Sequence, residues 1–372
     1  MTPGGFFVGG KIIRMTKLHR ILLALAATGL SACASLTPSR TSSLDTVLTI
    51  GIGGGSSTQV VPLSGVSGAG QFRHARWSPS GTQILSYSVT DGDIYLCTST
   101  GNTRSNLTNT STLTETNPEW SPSGELIAYI GTTASGFGSL YVMTKTGSSQ
   151  TPLLSGISRM GWNSDSTLLW AIGSNQQLYL VTPSGSATAL GSNYLVDSGT
   201  TPQWAGSTTI RFVSGGITYL GSSRGGVVGI RNTSNSNWGV ASAQAFIDLD
   251  SNDSTGYWVS TTGNIVSLGR ADLAVLSPSG NRIALALRGT VYTTTLSTLA
   301  RTVALDTGGY RIQSITWTPD NETLIISSTG GLVAARYDGS SVVSLSGIGA
   351  GDFDLSPNGQ SVVYIGVREE TL

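Results

Sequence analysis

The sequence predicts an all-β fold, a β-propeller of eight four-stranded blades, and three observations predict it. The pentapeptide WSPSG at 77–81 returns unchanged at 120–124, and degenerate copies follow at intervals of about 40 residues. Each interval holds four short runs with the alternation and β-branched content of strands, separated by Gly- and Ser-rich turns. After residue 33 no stretch carries helical periodicity. A unit of this length with four strands is the sequence signature of a propeller blade.

The copies begin at Trp77, Trp120, Trp162 (WNSDS), Trp204 (WAGST), Leu276 (LSPSG), Trp317 (WTPDN) and Leu355 (LSPNG). The spacings are 43, 42, 42, 72, 41 and 38 residues. Trp238 divides the long interval, and Phe246-Ile247 follows it much as Ile84-Leu85 follows Trp77, so a degenerate blade is read there. Seven blades is the alternative if the Trp238 unit is not a blade.

Within a unit the first run ends in Trp or Leu and meets a turn. In the turn, Pro79, Pro122, Pro278, Pro319 and Pro357 supply the φ wanted at its second position. Gly81, Gly124, Gly280 and Gly359 suit its fourth position. The tryptophans are expected to pack between blades. The second run is QILSYS, ELIAYI, TLLWAI, TIRFVS, RIALAL, TLIISS or SVVYIG, and the third includes DIYLCT, SLYVMT and QLYLVT. A fourth, weaker run such as TPLLSG or TVALDT completes the sheet.

Only 17 residues follow Leu355, enough for one more strand, QSVVYIG. The other two strands of that blade are expected from the N-terminal side, TVLTIGI (46–52) and TQVVPLSG (58–65). Sharing a blade between the chain ends would remove the open sheet edge.

W-S-P-x-G, an apolar strand, then I-Y-L-x resembles the TolB-type propeller repeat, also called the WD40-like PD40 repeat, over about residues 45–366. The family usually has Asp after the Pro, and here only Asp320 keeps it. The resemblance implies envelope partners such as a peptidoglycan-associated lipoprotein. The α/β domain that precedes the propeller in that family has no counterpart in this sequence.

Residues 15–33 read MTKLHRILLALAATGLSAC, a positive start followed by an apolar run from Ile21 to Leu30. Ten apolar residues are too few to span a bilayer, which takes roughly twenty. The stretch reads as a signal peptide over 1–32, with Met15 the better start. Its end, Leu30-Ser31-Ala32-Cys33, resembles the lipobox of bacterial lipoproteins. Cys33 is therefore the expected lipidation site, with 33–44 a polar tether and 45–368 the propeller. Acyl chains on Cys33 would hold the protein at a membrane. Ala34 at the next position favours the outer membrane, facing the periplasm, by analogy with enteric lipoproteins.

Composition narrows function. Residues 1–32 hold four of the 20 basic residues and no acid, so the remainder carries 16 basic against 20 acidic residues, a net of −4. Nucleic-acid binding needs a basic stripe, and none is visible. The only other cysteine, Cys97, lies in the strand-like DIYLCTST and reads as a core residue, so no disulfide-linked partner is expected. His74 is the single histidine after the signal segment, which excludes a multi-histidine metal site, and a structural or loop role is expected of it. No G-x-S-x-G pentapeptide is present. DLDSNDSTG (248–256) places Asp248, Asp250 and Asn252 at alternate positions, but lacks the Gly and the closing Glu of a calcium loop. The Gly-rich GIGGGSS (51–57) and GIGAGD (347–352) open no helix and read as turns. No cofactor, metal or catalytic residue is expected. The reading is a non-enzymatic, lipid-anchored protein-binding scaffold. The alternative is a propeller whose central channel binds or processes a glycan or peptide.

Overall fold

The computed structural model describes residues 41–55, 58–59, 72–101, 103–134, 136, 138–191, 193–232, 245–250, 253–346 and 352–371. Cys33, Trp238, Asn252 and most of GIGAGD lie outside them. The unit Ser43–Glu370 carries the propeller. Of the other unit, Met1–Ser42 with Thr371–Leu372, only end residues of two strands are described.

The protein is an eight-bladed β-propeller in which each blade is an antiparallel meander. Blade 1 is Phe72–Trp77, Gln83–Ser88, Ile94–Thr98 and Arg104–Asn106. Blade 2 runs from Leu113–Trp120 to Thr151–Ser155, and blade 3 from Ile157–Trp162 to Ala187–Ala189. Blade 4 runs from Gln203–Ala205 to Val227–Asn232. Blade 5 shows three described strands, Ala245–Asp250, Thr255–Ser260 and Ile265–Arg270, and the first-strand position around Trp238 falls outside the described residues. Blades 6 and 7 run from Leu273–Leu276 to Thr302–Asp306 and from Ile312–Trp317 to Val342–Ser346.

Blade 8 is made from both ends of the chain. Its strands, in order, are Phe353–Leu355, Ser361–Thr371, Thr41–Gly51 and Thr58–Gln59. Leu48 pairs with Gln59 and Thr49 with Thr58, while Ile52 N–H donates to Gln360 O at 3.0 Å.

The core follows from this order. Alternation puts one apolar row on each face of a blade, and each row meets the facing row of the next blade. Eight apolar clusters result among the described residues, one at each junction between neighbouring blades. Ile325 and Leu332 of blade 7 pack with Ile50 and Val362 of blade 8. Val47 and Val363 of blade 8 pack in turn with Phe72, Ile84 and Cys97 of blade 1. Leu220 of blade 4 meets Phe246 of blade 5. The run of junctions leaves no gap, so the ring is closed by packing as well as by strand pairing.

Candidate functional site

The innermost strands and their turns carry the features that distinguish this propeller from a plain stack of sheets. In the turns, Gly81, Gly124, Gly280 and Gly359 sit at φ between 71° and 74°. Their N–H groups donate back to Ser78, Ser121, Ser277 and Ser356 at 2.8 Å. The left-handed position admits glycine freely and other residues at a cost. In the degenerate copies Ser166 and Asn321 accept that cost at φ 65° and 63°. The residue after the Trp or Leu is almost fully buried, and in six of the copies (Ser78, Ser121, Asn163, Ser277, Thr318 and Ser356) its side chain accepts a backbone N–H from five residues on. Gln83 donates to Ser78 Oγ at 3.1 Å, Leu168 to Asn163 Oδ1 at 2.9 Å and Thr323 to Thr318 Oγ1 at 3.0 Å.

The turns also touch one another. A Cβ on Gly124 would lie 3.6 Å from Pro79 Cδ, one on Gly81 3.6 Å from Pro357 Cδ, and one on Gly359 2.8 Å from Pro319 Cδ. Ser123 N–H donates to Ser166 Oγ at 2.9 Å, Ser279 N–H to Asn321 Oδ1 at 2.9 Å, and Asn163 Nδ2 to Ser207 O at 2.9 Å. Pro278 and Gly280 stand in the turn of blade 6 next to that Ser279 contact. Each pentapeptide thus forms its own turn and also part of its neighbour's contact surface.

Trp77, Trp120 and Trp317 are buried, and Trp162 and Trp204 half-buried. Trp162 Nε1 donates to Glu119 O at 3.3 Å, Trp204 Nε1 to Gly161 O at 3.2 Å and Trp317 Nε1 to Val275 O at 3.2 Å. Each acceptor is the residue just before the equivalent Trp or Leu of the preceding blade.

A charged cluster lies where blades 8, 1 and 2 meet. A bulge between Arg73 and Arg76 puts His74 at φ 58°, and the matching bulge in blade 2 puts Asn117 at φ 51°. Such conformations are strained for residues other than glycine and concentrate where a site needs them. Arg76 Nη1 donates to Asp352 Oδ1 at 2.8 Å, and Arg76 Nη2 to His74 Nδ1 at 3.0 Å. A guanidinium can only donate, so Nδ1 accepts, and His74 Nε2–H donates to Glu119 Oε1 at 2.8 Å. Arg76 Nε stands 3.5 Å from the same carboxylate oxygen. Trp77 N–H donates to Asp354 Oδ2 at 2.8 Å.

Burial opposes charge on Arg76, Glu119 and Asp354, and their partners decide the outcome. For Arg76, burial is outweighed by Glu119 and Asp352, which hold its pKa above the ordinary value. For Glu119, burial is outweighed by His74 and Arg76, and its pKa falls. For Asp354 burial wins over Arg76 and the Trp77 amide, and the carboxyl rises to about 6. Of the structural or loop role expected of His74, the structure shows the structural one: it links Glu119 and Arg76 in a three-blade network.

A cavity of about 530 Å³ opens beside this network, lined among others by His74, Glu119, Arg159, Met160, Trp162 and Thr201.

Two further groups bear on function. Arg211 and Asp248 are both fully buried and form an ion pair of 2.7 Å, with Thr218 Oγ1 donating to Asp248 Oδ2 at 3.1 Å. Asp248 therefore serves a cation of the chain itself, and it lies within the strand Ala245–Asp250 where the sequence pattern suggested the start of a loop. Among the described residues no three His, Cys, Asp or Glu side chains gather as a metal-holding group. Between blades 1 and 2, Glu115 is fully buried and accepts from Thr110 Oγ1 at 2.6 Å, while Thr108 Oγ1 reaches both Glu115 and Asp93 at 3.2 Å. Cys97 is a free, buried thiol that burial pushes up to about 12.

No family model matches the chain, and no curated protein matches it. Solved structures do. The dihydro-heme d1 dehydrogenase NirN is similar over 82% of this chain and 74% of its own, with TM-score 0.58 at 11% identity. The C-terminal WD40 domain of Sif2 is similar over 78% and 95%, with TM-score 0.54 at 14% identity. A putative TolB from Agrobacterium tumefaciens matches over 89% and 100% at 17% identity, with TM-score 0.42. The chain is a β-propeller with WD40 and TolB propellers among its structural neighbours. At these identities the likeness is one of fold, and function has to be argued from the site.

Proposed function

We propose that the protein is a lipid-anchored scaffold of the bacterial cell envelope, in which a rigid propeller holds binding loops for another envelope protein. The observation that carries this reading is how the channel-side charges of the His74 network are engaged. His74, Arg76, Glu119 and Asp352, from three blades, bond to one another, which ties the first strands of those blades together as a rigid platform requires. The TolB-like repeat pattern and the lipobox at Cys33 support placement at the outer membrane, facing the periplasm or exposed at the surface. Partners would be envelope proteins of the kind TolB-type propellers bind.

Two experiments test the reading. Radiolabelled palmitate should enter the full-length protein and should be absent from Cys33→Ser, with the variant shifting from the membrane to the soluble fraction. Crosslinking and pull-down of the acylated protein should recover a specific envelope protein. An unlabelled wild type, or a protein recovered alone, would contradict the anchor and the scaffold respectively.

A second reading, a channel that binds a small ligand, is favoured by one observation, the cavity beside the charged network.

A further inference from the structure

Arg159 and Glu119 are the charged side chains that line that cavity with His74. Arg76, on blade 1 and outside that lining, is matched by Glu119 and Asp352. Arg159 donates Nη1 to the carbonyl of Thr200 and to Thr201 Oγ1, and no carboxylate lies within salt-bridge distance of it among the described residues. Those two bonds reach forward to the segment before blade 4 and fix the plane of the guanidinium. Its Nε–Nη2 edge takes no partner among the described residues and is not sealed from solvent. Burial without a counter-charge pulls its pKa down. A half-buried cation held in one plane, with a free two-donor edge, is an incomplete ion pair.

We infer that the cavity binds a carboxylate group on the Nε–Nη2 edge of Arg159, with Trp162 and Met160 as its apolar wall. The planar fork of arginine matches the two oxygens of a carboxylate. Glu119 lines the same cavity, and its negative charge disfavours a dianionic phosphate more than a single carboxylate. His74 and Arg76 already engage Glu119, so it does not compete for Arg159. The volume of about 530 Å³ lies within the range of small-ligand sites and also admits a side chain with its flanking peptide. The carboxylate can belong to an acidic residue of a protein or to a free carboxylated sugar. The inference does not depend on the scaffold reading.

The test uses the full-length protein in detergent and isothermal titration calorimetry. The probes are the blocked peptide Ac-Gly-Glu-Gly-NH2 with its Gln counterpart, and glucuronic acid with glucose. At least one acid should bind saturably, and its neutral counterpart should bind at least about tenfold more weakly. Arg159→Gln should weaken that acid by a similar factor. Arg159→Lys, which keeps the charge and loses the fork, should fall between. Thermal midpoints for both variants would separate lost binding from lost folding, and the lysine variant alone suffices if the glutamine variant unfolds. Whichever acid binds identifies the source. The inference is overturned if neither acid saturates by tens of millimolar, if neutral probes bind equally, or if folded Arg159 variants bind like wild type.

Discussion

The indole Nε1–H of Trp317 donates to the carbonyl oxygen of Val275 at 3.2 Å, across the junction of blades 6 and 7. Trp162 and Trp204 make the same bond to Glu119 and Gly161. In blades 3, 4 and 7 the aromatic residue that ends the first strand is thus a fastener to the blade before it. Trp317→Phe keeps most of the packing and should cost about 1 kcal/mol by removing one hydrogen bond and leaving a buried carbonyl short of a donor. Trp317→Ala also opens a cavity and should cost about 3–5 kcal/mol. Urea unfolding monitored by far-UV circular dichroism measures both. A Trp317→Phe variant as stable as wild type would contradict the hydrogen bond's role.

The contact between Pro319 and Gly359 makes a sharper test of the turn network. A Cβ at Gly359 meets Pro319 Cδ at 2.8 Å, whereas one at Gly124 meets Pro79 Cδ at an ordinary 3.6 Å. Both glycines have a left-handed φ, so alanine at either position should cost about 1–2 kcal/mol from the backbone alone. Gly359→Ala should therefore be measurably less stable than Gly124→Ala, by thermal melting. Indistinguishable midpoints would mean that the turns do not press on one another.

Stability should depend on pH through Glu115. Burial raises its carboxyl from 4.5 to about 7 against the opposing hydrogen bonds of Thr110 and Thr108, with Asp93 adding to the rise. A folded-state pKa above the unfolded value gives a contribution that is complete below pH 4.5 and lost as pH rises to about 7. The shift corresponds to roughly 3 kcal/mol. Asp354, raised from 3.8 to about 6, acts in the same direction over a lower window. Denaturation free energies at pH 5 and pH 8 should therefore differ less in Glu115→Gln than in wild type. A variant with the wild-type pH profile would show that Glu115 is not the source.

The Arg211–Asp248 pair predicts a different signature. Both side chains are fully buried, so Asp248→Asn leaves a buried cation with a weakened partner and should cost about 3–5 kcal/mol. Replacing both residues together, Arg211→Met with Asp248→Leu, should recover most of that loss. Additive losses in the double variant would contradict a coupled pair.

Much of this architecture is readable in the letters because the scaffold repeats its demands. The Trp, the small polar residue after it, the Pro and the Gly recur every 40 or so residues for local reasons, and local reasons leave local traces. The strand-like run at 46–52 and the shortage of residues after Leu355 were enough to place both chain ends in one blade. Contacts with no period left no such trace. His74 and Glu119 are 45 residues apart, and Arg76 and Asp352 are 276 apart. Nothing in their neighbourhoods marks them as partners, so His74 reads as a structural or loop residue without its partners. Asp248 matched the spacing of a cation-binding loop, yet alternation in AFIDLD fits a strand equally well, and the arginine that claims it lies 37 residues upstream. The partnerless edge of Arg159 could be seen only once every carboxylate near it had been located.

Closure of the ring by strands from opposite ends of the chain is the claim on which the rest stands, and amide hydrogen exchange tests it most directly. The account predicts that amides at 46–52 are protected to the level of central blade strands, and that the protection disappears in a chain ending at Gln360, which lacks the partner strand Ser361–Thr371. Exchange at 46–52 at the rate of a free peptide in the intact protein, or protection that survives the truncation, would contradict it.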